Sequence, residues 1–202
     1  MSARPSVQPW RTAVIAMDFQ RDIVGEHGAF APLFHAEVAR TGVITAAAKV
    51  LSSARAAGMK VVYSRAAFQP AYPDLVANIP VLGMAAEKGC LIDGSEGAAI
   101  VAEVAPRDGD VILAHPRVSG FHGTALDVIL RGADIDTIVL MGVATNLAIE
   151  STARAGADLG YRTLVVADAC STISQAVHTA SLESLAMLTE IVTSDDLISL
   201  AA

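Results

Sequence analysis

The chain is short of aromatic residues, of lysine and of cysteine. Phe, Tyr and Trp make up only 4 % of its 202 residues, so a core has to be built from closely packed Ala, Val, Leu and Ile. Of 14 basic residues only Lys49, Lys60 and Lys88 are lysines, no basic run exists, and the net charge is −7. That excludes a broad basic face for nucleic acid. Two cysteines, Cys90 and Cys170, without a CxxC, cannot make a disulfide framework and suit a reducing cytoplasm. The opening stretch has no apolar core of a signal peptide, and no apolar run approaches the ~20 residues of a membrane span. A cytoplasmic protein with no membrane partner is therefore expected. G-x-G-x-x-G, G-x-x-x-x-G-K-[ST] and G-x-S-x-G are all missing, which argues against NAD, ATP and the α/β-hydrolase elbow. His27, His35, His115, His122 and His178 show no metal-ligand spacing, so neither a metal nor a cofactor is expected.

What is present is apolar. Hydrophobic residues are 53 %, charged residues 17 %, and mean hydropathy is +0.49, which excludes a disordered chain. The length predicts one domain over 1–202. Short apolar runs at 12–17, 60–63, 110–114, 137–142 and 162–167, with a weaker one at 190–193, alternate with helical stretches at 36–57, 124–133, 145–159 and 175–188. Continuous apolar strands buried on both faces are the mark of a parallel sheet. The expectation is an α/β fold, a doubly wound six-stranded parallel sheet with helices on both faces. Residues 66–92, with Pro70, Pro73, Pro80, Gly83 and Gly89, show no clear period and read as a long loop or flap beside the site.

Ligands of such sheets bind beyond the carboxyl ends of the strands. The residues there are Asp18 and Gln20, Ser64 and Arg65, His115 with Arg117 and Ser119, 143–146, and Asp168 with Cys170. Asp18 after a fully apolar strand suits acid or base work, or caps a turn. His115 is a proton partner or a donor to a backbone carbonyl. Cys170 reads as a small buried thiol rather than a nucleophile. In 141–154 a strand runs into a helix that Thr145 or Asn146 can cap, and first-turn N–H groups there would favour an anion or oxyanion.

Several segments together resemble the isochorismatase-like hydrolase superfamily, also called cysteine hydrolases. They are Ala16-Met-Asp18-Phe-Gln20, Arg117-Val-Ser119-Gly-Phe121-His-Gly123-Thr124-Ala-Leu-Asp127, Gly142-Val-Ala-Thr145-Asn146 through Glu150-Ser-Thr152, and Asp158-Leu-Gly160-Tyr161-Arg162 through Asp168-Ala169-Cys170, with His178 beyond. The resemblance implies the six-stranded parallel sheet, a cis peptide at Val143–Ala144, a homodimer or homotetramer, and hydrolysis of small amides, ureas or a vinyl ether. Amidases of that superfamily use Asp, Lys and Cys. The resemblance places these on Asp18, His115 and Ala148, so two of the three are replaced, and no lysine lies in a matching segment to substitute. Gln20, Arg65, Arg117, Phe121, Ala144 and Asn146 are the expected substrate-binding residues, the two arginines hinting at a carboxylate. Three accounts follow. The chain is a hydrolase with altered chemistry, acting on a C–N or enol-ether bond through Asp18 and His115. It is a pseudoenzyme that binds a small ligand or only assembles. Or Ala148 is a Cys→Ala substrate-trapping change in an amidase, which leaves His115 unexplained.

Overall fold

The computed structural model describes residues 6–200; residues 1–5 of the opening stretch and 201–202 lie outside the described residues. Six strands form one sheet: β1 (Thr12–Met17), β2 (Lys60–Ala66), β3 (Val111–His115), β4 (Thr137–Val143), β5 (Arg162–Ser171) and β6 (Glu190–Val192). Their order is β3-β2-β1-β4-β5-β6, every pairing parallel. The chain winds outward from β1 to β3, returns to the centre, and winds the other way from β4 to β6. Right-handed crossovers then put the connecting helices on opposite faces of the two halves. Accordingly α3 (Val43–Ala56) packs with α8 (Ser194–Leu200), and α6 (Glu150–Asp158) packs on α7 (Gln175–Leu185). The reversal lies between β1 and β4, where a crevice opens at the carboxyl ends of the strands.

β1 and β4 are buried along their whole length, as an inner pair must be. β3 is not: it is the sheet's edge, and Ile112 and Ala114 are exposed while His115 is buried. The expectation of strands buried on both faces therefore fails at this edge, where one flank has no neighbour. The single helix expected over 36–57 is two, α2 (Ala31–Thr41) and α3, broken at Gly42, whose φ of 67° ends one helix in the left-handed region. The segment 66–92 is only partly a loop. Pro80 opens and Gly89 closes α4 (Pro80–Lys88), the usual proline-start, glycine-stop arrangement. Asp168 and Cys170 do not follow β5 but lie inside it, past an irregularity that pairs Leu140 with Val165 and Gly142 with Cys170. α1 (Arg21–Val24) and α5 (Leu126–Gly132) complete the helices used below.

Gly142 shows why one strand end has the shape it has. Its φ is 139°, and a Cβ there would stand 2.0 Å from the Met17 carbonyl oxygen. β1 and β4 approach so closely at the crevice that only glycine fits.

Candidate active site

β1 ends in Asp18, whose φ of 59° turns the chain away from the sheet. Its Oδ1 accepts from the Ala66 N–H at 2.8 Å, a bond that ties the end of β1 to the end of β2. The same oxygen stands 2.8 Å from His115 Nε2. Both side chains are buried, 6 % and 2 % exposed. His115 Nδ1 lies 2.5 Å from the Arg117 carbonyl oxygen. A carbonyl can only accept, so Nδ1 carries a hydrogen, and the contact to Asp18 needs a second proton between Nε2 and Oδ1. Burial by itself pushes the His115 imidazolium down. The Asp18 charge, its hydrogen bond and the Arg117 carbonyl outweigh that and hold the ring above its ordinary value. The pair thus holds one proton between Nε2 and Oδ1, and the surroundings of the ring favour its charged form. Among the described residues no donor engages Asp18 Oδ2, the oxygen left for a substrate or a water.

β4 ends at Val143, and the Val143–Ala144 peptide is cis. One wide turn of π-helix, Thr145–Ile149, carries the chain into α6. Neither Thr145 nor Asn146 caps it, because both side chains are taken elsewhere. Thr145 Oγ1 meets His178 Nδ1 at 2.9 Å, and Asn146 Oδ1 accepts from Thr172 Oγ1 at 2.5 Å.

Asp18, His115, Arg117, Ala144 and Ala148 line one cavity. The room open to the centre of a water-sized molecule in it is ≈ 70 Å³, space for a few waters or a small organic group. Its other walls are apolar. Ile23 of α1 and Phe34 of α2 lie on one side, Leu82 and Ala85 of α4 on another, and Leu147 beside Ala148. No cysteine, serine, threonine, lysine or tyrosine lines it.

Four expected substrate-binding residues lie elsewhere. Gln20 is fully buried behind the site, its Nε2 donating to the Ala66 carbonyl at 2.8 Å and the Ala98 carbonyl at 3.1 Å. Arg65 pairs with Asp93 at 2.7 Å and lines a separate depression. Phe121 stacks on Tyr161, centroids 5.8 Å apart. Asn146 is turned to Thr172. Burial pushes the Cys170 thiol up to about 12 and the Cys90 thiol up to about 11, so neither is an activated nucleophile. The wall from α1, α2 and α4 is what sequence reasoning missed. Its signal was the Pro80…Gly89 frame, hidden by Gly83 and a weak period. Among the described residues no group of three His, Cys, Asp or Glu side chains could hold a metal ion, and no helix is long and apolar enough to cross a membrane.

Residues 12–196 match the isochorismatase domain. The chain belongs to the isochorismatase family. Among relatives of this isochorismatase-family chain is the ureidoacrylate amidohydrolase RutB of Methylobacterium radiotolerans, 32 % identical over 202 residues, which span 92 % of this chain and 78 % of that protein. A cysteine hydrolase from Pseudomonas syringae pv. phaseolicola 1448A shares the fold with a TM-score of 0.86 and 28 % identity, over 100 % of this chain and 98 % of that one. N-carbamoylsarcosine amidase of Thermoplasma acidophilum does so at 0.73 and 28 %, over 92 % and 97 %. The six-stranded parallel sheet with helices on both faces is the isochorismatase-like fold.

Proposed function

We propose that this isochorismatase-family hydrolase cleaves a C–N or enol-ether bond of a small molecule without a cysteine nucleophile, with Asp18 as acid and base and His115 as its charge partner. One observation carries the reading: a buried His115–Asp18 pair at 2.8 Å forms the polar end of a cavity that contains no other nucleophile. Ala148, at the position the family likeness gives to cysteine, offers only a methyl group, so no thioester can form there. In the hydrolytic step a water oxygen attacks the substrate carbon and Asp18 Oδ2 takes the water's proton. Asp18 then passes that proton to the departing nitrogen or oxygen, and net one water is consumed. The His115 imidazolium stays bonded to Oδ1 and offsets charge on the carboxylate. For an enol ether the order reverses: Asp18 Oδ2 first takes up a proton from solvent and delivers it to the double bond, water adds to the resulting cation and returns a proton to Asp18, and collapse of the adduct releases the alcohol, so that net one water is consumed. The names of the relatives, a ureidoacrylate amidohydrolase and an N-carbamoylsarcosine amidase, support the C–N arm.

A ligand-binding member without turnover is the second reading, favoured by the inert methyl of Ala148. The test is a screen of small amides, ureas, lactams and enol ethers with Asp18→Asn alongside. Turnover that falls by about 10²–10⁴ in Asp18→Asn, with the fold intact, supports the acid–base role. A variant with full turnover removes Asp18 from the chemistry, and binding without turnover across the screen favours the second reading. A homodimer or homotetramer in the cytoplasm belongs to the same proposal. Light scattering on the purified chain checks the first; both described cysteines being free is in keeping with the second.

A further inference from the structure

The cavity's charges do not balance. His115 and Asp18 neutralise one another. The remaining charged side chain on the wall is Arg117. Its Nη1 donates to the Val76 carbonyl at 3.0 Å and its Nη2 to Asn78 Oδ1 at 2.8 Å. Both acceptors are neutral. They hold the guanidinium against the exposed 76–78 segment while Arg117 lines the cavity, and they use two of its five N–H donors without cancelling its charge. Arg65 is the contrast: its guanidinium meets the Asp93 carboxylate, and it lines a different depression. Every other wall residue is apolar. A cavity of this kind has one fixed cation, one self-neutralised reacting pair and hydrocarbon between them.

We infer that Arg117 anchors a carboxylate at one end of the substrate, so that the substrate is a small monoanion with an otherwise apolar body. The inference rests on the reading of Asp18 and His115 as the reacting pair, and it adds which end of the molecule points away from them. A planar guanidinium fork suits a carboxylate through two parallel N–H bonds, and bonds between ionised partners are about twice as strong as neutral ones. The apolar walls from α2 and α4 exclude a second charged group, since an unpaired charge there loses its hydration without compensation. The segment carrying Val76 and Asn78 sets where the guanidinium stands, which gives that part of the 66–92 stretch a part in fixing substrate length.

The experiment compares two probes of one shape, butyrate and butyramide, by calorimetric titration at constant ionic strength against the wild-type chain, Arg117→Gln, Arg117→Lys and Asp18→Asn. Butyrate is expected to bind the wild type at least about tenfold more tightly than butyramide. Arg117→Gln should erase that preference and leave butyramide binding unchanged, which also shows that the cavity is intact. Arg117→Lys should keep part of it, because a point charge replaces a fork. Asp18→Asn should keep the preference, which separates this inference from the proposed chemistry. Turnover of uncharged substrates with no effect of Arg117→Gln overturns the inference and leaves the proposed function standing. Arg117-dependent butyrate binding with no turnover in any screen does the reverse. Butyrate that binds no more tightly than butyramide, or not at all at millimolar concentration, overturns the inference outright.

Discussion

Three side chains carry the proposed chemistry of the site, and the setting of each is explained by its immediate surroundings. Asp18 gives one oxygen to the Ala66 N–H and to His115 and keeps the other for the cavity. His115 is a charge partner because a carbonyl fixes its Nδ1 hydrogen and a carboxylate faces Nε2. In Asp18→Asn the largest remaining influence on the ring is burial, so His115 should lose its proton at a lower pH than in the wild type. Histidine ring resonances followed by NMR across pH check this; an unmoved titration would separate the two residues. Ala148 lines the same cavity, whereas Cys90 and Cys170 are buried with their thiols pushed up. The wild-type chain should therefore resist iodoacetamide in its folded state. Ala148→Cys should add one thiol that alkylates faster than either, since it would line the same cavity as the His115 ring and lie within the turn that leads into α6. Mass spectrometry of the labelled peptides reads both outcomes, and a thiol at 148 no faster than Cys170 would take that position out of the site.

At the scale of elements, two glycines in apolar surroundings make opposite demands. Gly142 ends β4 with a positive φ and no room beside the Met17 carbonyl. Gly142→Ala should cost about 3 kcal/mol or more, since the clash is with backbone and the conformation is strained as well. Gly83 sits in the interior of α4 with open space where a Cβ would go. Gly83→Ala should stabilise by about 0.5–1 kcal/mol through helix propensity alone. Urea unfolding of the two variants against the wild type measures both signs, and equal effects would contradict the account. α4 also shows how elements were and were not legible. Its ends are written in Pro80 and Gly89. Its interior lacks a clear period because Val81 and Leu82 face the cavity while Gly83 faces nothing. The break between α2 and α3 was equally present as Gly42, but Ala36 and Ala39 before it and the alanines at 46–48 after it carried the helical pattern across it.

For the whole molecule, the His115–Asp18 pair links folding to pH with a definite sign. The ring binds its proton more tightly folded than unfolded, where its ordinary value is 6.5. A raised value stabilises fully below the unfolded value and loses that contribution as pH rises through the folded one. The stability gap between wild type and His115→Gln should thus be widest near pH 6 and narrow as pH rises. Denaturant midpoints measured at a series of pH values test it, and a gap that widens toward alkaline pH would reverse the sign of the argument. The pair spans the ends of β1 and β3 with β2 between them, so the same measurement reports on how the crevice end of the sheet is held together.

The sequence by itself determined the layers and the line of strand ends. Apolar runs of strand length separated by helical stretches leave a parallel sheet as the one way to bury both, and such sheets present their C-terminal residues to ligands. Asp18, His115 and Ala148 could be named on that ground together with the family likeness. Tertiary structure decided which strand-end side chains face the crevice. Gln20, Arg65, Phe121 and Asn146 sit beside the right strands, yet each was drawn off by a partner distant in sequence: the Ala98 carbonyl, Asp93, Tyr161 and Thr172. Periodicity along one strand carries no information about such partners, because they are brought within reach only when the crossovers close. The apolar wall was decided the same way, by where α1, α2 and α4 come to rest against the end of the sheet.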